Sequence, residues 1–213
     1  MHNKLKKIGI TQRLDCIDKY VEVRSALDIR WYELLNSIDL VPIPLTINID
    51  IASIADLKIS GIILTGGNDL SSQSGDELSI LRDKHEYQCL EYAIENSLPI
   101  FGVCRGMQII AEYFGTTFKK VDNHVSIRHK IEVIGQSNFK SILNKIENVN
   151  SYHNFAIDKL GDDLQTVATC FNDNTIEAIQ HNNHLIFGQM WHPERENPFN
   201  KYNSQLISEF FNG

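Results

Sequence analysis

The chain has 213 residues, of which 42% are hydrophobic, and a formal net charge of −7 at pH 7. This length suits one α/β domain over residues 1–213 with a sizeable core. The negative balance argues against a general binder of nucleic acid, although it leaves small anionic ligands open. Four scattered cysteines without a CxxC pair argue against a disulfide framework, and no apolar run approaches the ~18 residues of a membrane span. We therefore expect a cytoplasmic protein.

The first half of the chain predicts strands that alternate with helices. The predicted strands are 7–11, 40–45, 60–64 and 99–103, and the predicted helices are 21–36 and 78–96. Apolar residues recur three and four positions apart in the helices. Pro42 and Pro44 favour an edge or a strand end for the second strand. This alternation predicts a parallel sheet covered by helices on both faces.

The second half of the chain has a different character. Short β-like pieces recur at 117–134, 164–171, 175–180 and 185–190, and a helix is predicted at 202–211. No Pro/Gly-rich linker separates these pieces from the first half. They predict an antiparallel extension of the same sheet.

The sequence PIFGVCRGMQII at 99–110 has the layout of a nucleophile elbow. An apolar strand ends at Cys104, which stands between Gly102 and Gly106, and a helical pattern follows at once. Glycines on either side remove side chains that would clash in such a turn. The amino end of a helix favours the thiolate. From this stretch alone, a buried structural cysteine is an equally good interpretation.

A base and an orienting group for Cys104 are found far along the chain. His192 and Glu194 follow an apolar strand, and residues two apart in extended chain face the same side. A glutamate beside an imidazole can fix its tautomer and stabilise the imidazolium, as in a catalytic triad. By themselves the two residues are better interpreted as a surface histidine and a solvated carboxylate. Together with the elbow they indicate a triad in the order Cys, His, Glu.

The loop Thr65-Gly66-Gly67-Asn68-Asp69 offers a site for the developing negative charge. Adjacent glycines after a strand let main-chain N–H groups approach a ligand. We expect the amides of Gly67 and Arg105 to form an oxyanion hole. An ordinary Gly-Gly-Asn turn is the alternative.

These three segments together resemble the class I glutamine amidotransferase superfamily, and more closely its γ-glutamyl hydrolase branch. The resemblance extends to RDxxE at 82–86, to TIEAI at 175–179 and to NSYHNFAI at 150–157, which is also similar to a loop of carbamoyl-phosphate synthetase small subunits. It implies a flavodoxin-like three-layer α/β sandwich, no cofactor and a γ-glutamyl thioester intermediate. Two departures from the branch are Asn154 in place of its second histidine and Phe155 in place of its glutamine.

The resemblance also implies roles for individual residues. Cys104 attacks the γ-carbonyl, His192 acts as base and then as acid, Glu194 orients His192, and the amides of Gly67 and Arg105 hold the oxyanion. The residues implied in binding the glutamyl moiety are Gln108, Asn68, His153, Asn154 and Phe155.

The leaving group is the open question of the sequence. Arg24, Arg30 and Trp31 lie in a segment, 20–31, that resembles small amidohydrolases of bacterial capsule biosynthesis, which release glutamate from CDP-linked glutamine. Arginine and an aromatic ring suit a nucleotide diphosphate. From the residues alone, an amphipathic helix with solvated arginines is the better interpretation.

Several alternatives stay open for the partner and the function. They are a hydrolase of γ-glutamyl amines such as γ-glutamyl-GABA, a glutaminase subunit that delivers ammonia to a synthase, and a non-catalytic binding module. The expected partner is a small-molecule γ-glutamyl substrate, and a homodimer is also open.

No metal site is predicted from the histidines. His124 and His129 fall in a polar β-like stretch, and His181 and His184 flank a predicted turn. No Glu or Cys stands beside them at ligand spacing.

Overall fold

The computed structural model describes residues 5–17, 19 and 21–213. Its main sheet has nine strands. In spatial order they are β4 (Leu40–Leu45), β1 (Lys6–Thr11), β5 (Ile62–Leu64), β6 (Ile100–Val103), β13 (Ile186–Gln189), β12 (Ile176–His181), β11 (Leu164–Cys170), β8 (Val125–Val133) and β9 (Asn148–Tyr152).

The sheet is parallel on one side and antiparallel on the other. The pairs from β4 through β1, β5 and β6 to β13 are parallel, and all later pairs are antiparallel. Every residue of β5, β6 and β13 is buried, as is typical of strands covered on both faces. The predicted parallel sheet with an antiparallel extension is thus confirmed. Strand β4, which carries the two prolines, lies at the edge.

Seven helices are described. They are α1 (Ile29–Asn36), α2 (Ile51–Leu57), α3 (Ser71–Ser74), α4 (Glu77–Glu95), α5 (Arg105–Tyr113), α6 (Lys140–Leu143) and α7 (Lys201–Asn212), and a 3₁₀ turn covers Pro193–Arg195. Helices α4 and α7 agree with the prediction. Helix α5 follows β6 directly and packs against β6 and β13. In the described part of the chain, no helix is long and apolar enough to cross a lipid bilayer.

The predicted helix 21–36 is wrong in its first half. Residues Glu22–Ala26 form strand β3, which pairs with β2 (Arg13–Ile17) in an antiparallel hairpin. Its exposed β-branched Val23 suits a strand better than a helix. Helix α1 begins only after Asp28, whose side chain accepts a hydrogen bond from the N–H of Arg30. Tyr20 lies outside the described residues.

A second small sheet pairs β7 (Thr117–Lys120) with β10 (Phe155–Lys159). This pairing brings the turn between β9 and β10 beside the end of β7, where Val121 N–H donates to the carbonyl of Asn154. Strands β9 and β10 show that the segment 150–157 is a strand–turn–strand unit, which sequence patterning left without an element.

Aromatic packing fixes the two central strands against the last helix. The ring of Phe101 on β6 lies 5.4 Å from that of Phe187 on β13 and 5.2 Å from that of Phe210 on α7. All three residues are buried. The carboxyl ends of β6 and β13, which carry the predicted nucleophile and base, are therefore held side by side.

Candidate active site

Cys104 occupies a strained turn between β6 and α5. Its φ of 53° and ψ of −110° lie outside the regions that a cysteine ordinarily adopts. A Cβ on Gly106 would lie 1.9 Å from the oxygen of Leu64, and one on Gly102 would lie 2.6 Å from the backbone of Gly106. Only glycine fits at either position. The local geometry is that of the predicted nucleophile elbow.

His192 and Glu194 form a buried pair beside Cys104. His192 Nδ1 and Glu194 Oε1 are 2.6 Å apart, and both side chains are buried. The Cys104 side chain lies beside the same imidazole, since a Cβ on Gly66 would lie 3.6 Å from both Cys104 Cβ and His192 Nδ1. Gly66 packs so closely on the ring that a Cβ there would lie 2.7 Å from His192 Cε1. The structure thus brings the three predicted triad residues together.

The electrostatics of the site favour the imidazolium. Burial by itself lowers the pKa of His192, because it removes the charged ring from water. The charges of Glu194 and Cys104, with hydrogen bonds to both, outweigh burial and raise the pKa of His192 from 6.5 to about 10. A protonated His192 can stabilise a neighbouring thiolate, which is the reactive form of cysteine.

Asn150 on β9 holds the main chain of His192. Its Oδ1 accepts a hydrogen bond from the His192 N–H at 2.8 Å, and its Nδ2 donates to the His192 carbonyl at 2.9 Å. Nδ2 also donates to Glu196 Oε1 at 2.8 Å. In the sequence Asn150 stands out only as the first residue of a family-like segment, with no role indicated, because its partner lies far along the chain.

The glycine loop after β5 is fixed from behind by Arg82 on α4. The Arg82 guanidinium donates to the carbonyls of Thr65 and Gly66 at 2.8 and 3.0 Å. Gly67 has a φ of +119°, and a Cβ there would lie 2.7 Å from the Cβ of Arg13. The loop therefore has a defined shape beside His192. The assignment of the Gly67 and Arg105 amides to an oxyanion hole stays a prediction.

The RDxxE segment connects this loop with the elbow. The Arg105 side chain forms ion pairs with Asp83 and Glu86. Glu86 also accepts from Arg82 at 3.0 Å and from Thr11 at 2.8 Å. Burial outweighs the other effects and lowers the pKa of Arg82 to about 10, which leaves it charged at neutral pH. One buried ionic network thus supports both the glycine loop after β5 and the start of α5.

Two of the predicted glutamyl-binding residues meet at the carbonyl of a third. Gln108 Nε2 donates to the Phe155 carbonyl at 3.0 Å, and His153 Nδ1 lies 3.1 Å from the same oxygen. Asn154 is exposed in the turn between them. The predicted substrate loop therefore lies next to the helix that carries the nucleophile.

Asn68 and His153 are engaged within the chain. The Asn68 amide donates to the carbonyl of Leu14 and accepts from its N–H, which anchors the β2–β3 hairpin. His153 is buried, and its Nε2 lies 3.4 Å from Glu177 Oε1. In this structure these side chains serve internal contacts, and substrate binding by them stays a prediction.

The three residues of segment 20–31 that are predicted to bind a nucleotide lie in different places in the structure. Trp31 lines a cleft together with the glycine loop, His192 and Glu194. Arg30 instead donates to the carbonyls of Glu194 and Glu196. Arg24 forms an exposed ion pair with Glu22 on the hairpin.

Two arginines that sequence patterns did not single out line the same cleft, Arg13 and Arg195. Arg195 lies over the ring of Tyr152 at 4.6 Å. Its position directly after Glu194 in the sequence was an available signal. Arg13 gave no such signal, because only the fold of the hairpin brings it to the cleft.

Comparison with known proteins gives a consistent answer. The family model described as Peptidase C26 matches residues 8–194. A protein of Campylobacter jejuni named gamma-glutamyl-CDP-amidate hydrolase is 44% identical over 209 residues, which is 96% of each chain. The carbamoyl phosphate synthase small chain of Akkermansia muciniphila is 32% identical over 128 residues, covering 59% of this chain and 32% of the other.

Solved structures share the fold. A glutamine amidotransferase from Thermotoga maritima superposes with a TM-score of 0.68 at 14% identity, covering 97% of this chain and 84% of the other. A protein from Thermoplasma acidophilum that is described as a GMP synthase component superposes with a TM-score of 0.74 at 20% identity, covering 99% and 94%. These likenesses confirm the predicted fold class. The match over residues 8–194 and the end-to-end relative show that this chain is a hydrolase that belongs to the Peptidase C26 family.

Proposed function

We propose that this chain hydrolyses the γ-glutamyl amide bond of CDP-L-glutamine, releasing L-glutamate and cytidine diphosphoramidate. The observation that carries the proposal is the 44% identity, over 96% of both chains, to a protein named for that substrate. The buried Cys104–His192–Glu194 geometry supports the chemistry, since it supplies a nucleophile, a base and an orienting carboxylate.

In the proposed mechanism, the Cys104 thiolate attacks the γ-carbonyl carbon. The carbonyl oxygen becomes an oxyanion that accepts hydrogen bonds from the amides of Gly67 and Arg105. As the C–N bond breaks, protonated His192 donates its proton to the departing nitrogen and leaves a γ-glutamyl thioester. Neutral His192 then takes a proton from water, the hydroxide attacks the thioester, and glutamate and the Cys104 thiolate are released.

The cleft beside His192 and Glu194 is small, with a volume of about 70 Å³, so it suits a phosphate group of this substrate and not the whole nucleotide. The side chains of Arg13 and Arg195 line it and are partly exposed, and the buried Trp31 forms part of the wall. Guanidinium groups bind diphosphate oxygens by charge-assisted hydrogen bonds. We place the reaction in the cytoplasm, in the synthesis of a phosphoramidate donor for capsular polysaccharide, with a small molecule as the only partner required.

A glutaminase subunit is the second candidate, because the carbamoyl phosphate synthase small chain shares 32% identity over 128 residues. In that role the chain would pass ammonia to a synthase instead of releasing a nucleotide product. Hydrolysis of γ-glutamyl amines is the third, and no contact of the cleft favours it.

The test is a comparison of substrates with the purified full chain. Glutamate release is measured from CDP-L-glutamine, γ-glutamyl-GABA and L-glutamine, with Cys104→Ala as the inactive control and Cys16→Ala as the matched one, since Cys16 is an exposed cysteine. We expect kcat/KM for CDP-L-glutamine to exceed the others by about 100-fold or more, because binding energy from the nucleotide adds to transition-state stabilisation. Equal or faster release from either other compound contradicts the substrate. Full turnover by Cys104→Ala contradicts the mechanism.

A further inference from the structure

A second cluster of ionisable side chains lies behind the substrate loop. It contains His124, just before β8, His129 on β8 and Glu177 on β12. All three residues are buried, and their ligand atoms lie within 4.8 Å of one another. His153, in the turn between β9 and β10, approaches the same carboxylate. The proposed hydrolysis uses none of His124, His129 and Glu177.

The distances in the cluster are those between ligands of one ion and exceed those of hydrogen bonds. Glu177 Oε1 lies 3.6 Å from His124 Nδ1, 3.5 Å from His129 Nε2 and 3.4 Å from His153 Nε2. A hydrogen bond between such atoms spans about 2.7 to 3.2 Å. Tetrahedral zinc with bonds of about 2.0 to 2.1 Å separates its ligand atoms by about 3.3 to 3.4 Å.

Several polar atoms at the centre lack a hydrogen-bond partner. They are His129 Nε2, His153 Nε2 and Glu177 Oε2. Unpartnered buried polar atoms are costly, and each such atom in a folded protein calls for an ion, a water or a catalytic use. Two of them, His129 Nε2 and His153 Nε2, lie 3.5 and 3.4 Å from Glu177 Oε1, so one cation between these atoms could satisfy both nitrogens.

The outer nitrogens of two rings have partners of their own. His124 Nε2 lies 2.8 Å from Asp173 Oδ2, and His153 Nδ1 lies 3.1 Å from the carbonyl of Phe155. Both oxygens can only accept, so these two outer nitrogens carry hydrogens. The inner nitrogens face Glu177, where a cation could bind them, and Ser151 Oγ lies 3.3 Å from His124 Nδ1. Metal-binding histidines in proteins are oriented in this way.

We propose that this cluster binds a divalent transition-metal ion of the zinc type through His124, His129 and Glu177, with His153 as the nearest fourth group. Imidazole nitrogens with one carboxylate form a donor set that zinc accepts. Asp173 and Cys170 lie on the outer side of His124. At 2.8 Å the Asp173 contact is a hydrogen bond that orients the ring.

The site would hold the substrate loop in place. The carbonyl of Phe155 accepts from His153 on the metal side and from Gln108 on the nucleophile side. A bound ion would therefore contact His153, which in turn contacts the loop of the predicted glutamyl pocket. Its role would be to fix the position of that loop, and it would take no part in bond breaking. The sequence expectation of no metal rests on ligand spacing along the chain, whereas Glu177 comes near His124 and His129 only through the fold of β8 and β12.

The experiment measures metal content and needs no activity. The full chain is purified without a metal-affinity step, equilibrated with zinc, dialysed and analysed by mass spectrometry of the metal, beside Glu177→Gln and His129→Gln. His184→Ala is the matched control, since His184 is an exposed histidine outside the cluster. We expect about one zinc per chain in the wild type and the control and about a tenth of that or less in the two variants.

Cobalt(II) loading and thermal unfolding give independent readouts. Cobalt bound by nitrogen and oxygen ligands has visible absorption bands, which we expect in the wild type and His184→Ala only. A chelator should lower Tm of the wild type and leave Tm of His129→Gln unchanged, because the variant holds no ion to lose. A wild type that binds neither zinc nor cobalt overturns the proposal. Undiminished binding by folded Glu177→Gln or His129→Gln also overturns it. If Glu177→Gln does not fold, the His129→Gln comparison decides.

Discussion

The side-chain amide of Asn150 bonds both main-chain polar groups of His192, accepting from its N–H and donating to its carbonyl. Strand β9, in the antiparallel part of the sheet, thereby fixes His192, which follows the central strand β13. The orientation of the base thus depends on the far part of the sheet as well as on Glu194.

Asn150→Ala is expected to lower kcat by about 10- to 100-fold, because small displacements of a catalytic group can cost that much. KM should change less, since the side chain lies behind the base. The matched control is Asn148→Ala, an exposed asparagine on the same strand, which should retain the wild-type kcat. An unchanged kcat in a folded Asn150→Ala protein would show that the clamp is dispensable.

The His192–Glu194 pair predicts a pH dependence of stability. Folding raises the pKa of His192 from 6.5 to about 10. The protonated ring therefore contributes its full stabilisation below pH 6.5, and this contribution is lost as the pH rises through 10. This contribution to stability is measured by urea unfolding of the wild type and Glu194→Gln at several pH values. The difference between their free energies of unfolding should shrink from about pH 6 to about pH 10, and parallel pH profiles would refute the coupling.

Gly106 and Gly75 allow a matched test of the elbow. A Cβ on Gly106 would lie 1.9 Å from a backbone oxygen, whereas one on Gly75 has no atom within 4 Å. Gly106→Ala should destabilise the fold by about 3 kcal/mol or more, because the strand and helix must move apart. Gly75→Ala should cost about 1 kcal/mol through its positive φ alone. Urea denaturation decides, and equal losses would argue against close packing at the elbow.

Arg13 and Arg24 allow a matched test of the nucleotide cleft. They stand on the two strands of one hairpin, are about equally exposed, and each pairs with an acidic neighbour. Only Arg13 lines the cleft. Arg13→Gln should raise KM for CDP-L-glutamine by about 10-fold through loss of a charge-assisted contact. KM for L-glutamine should stay unchanged. An equal effect of Arg24→Gln would place the nucleotide elsewhere.

Local signals explain which elements were predictable. The bounds of β4 follow from its apolar residues and its two prolines, and those of α4 follow from its amphipathic pattern. The triad could be predicted because its three members each carry a local pattern, Gly-x-Cys-x-Gly and His-Pro-Glu. Hairpin β2–β3 was missed because the spacing of Ala26, Ile29, Leu34 and Leu35 suggested one helix across two elements.

The supporting contacts were not predictable, since they join residues far apart in sequence. Asn150, Arg13 and Glu177 have no local pattern that marks a role. Their functions arise from strand pairing in the second half of the sheet and from the fold of the hairpin, which one sequence does not specify.

Of the nine strands in the main sheet, β13 comes last in the sequence and lies between β6 and β12 in the middle of the sheet. A growing chain that ends before residue 186 therefore leaves two strand edges open and Cys104 without its imidazole partner. Completion of the sheet and the meeting of Cys104 with His192 are consequently the same folding event.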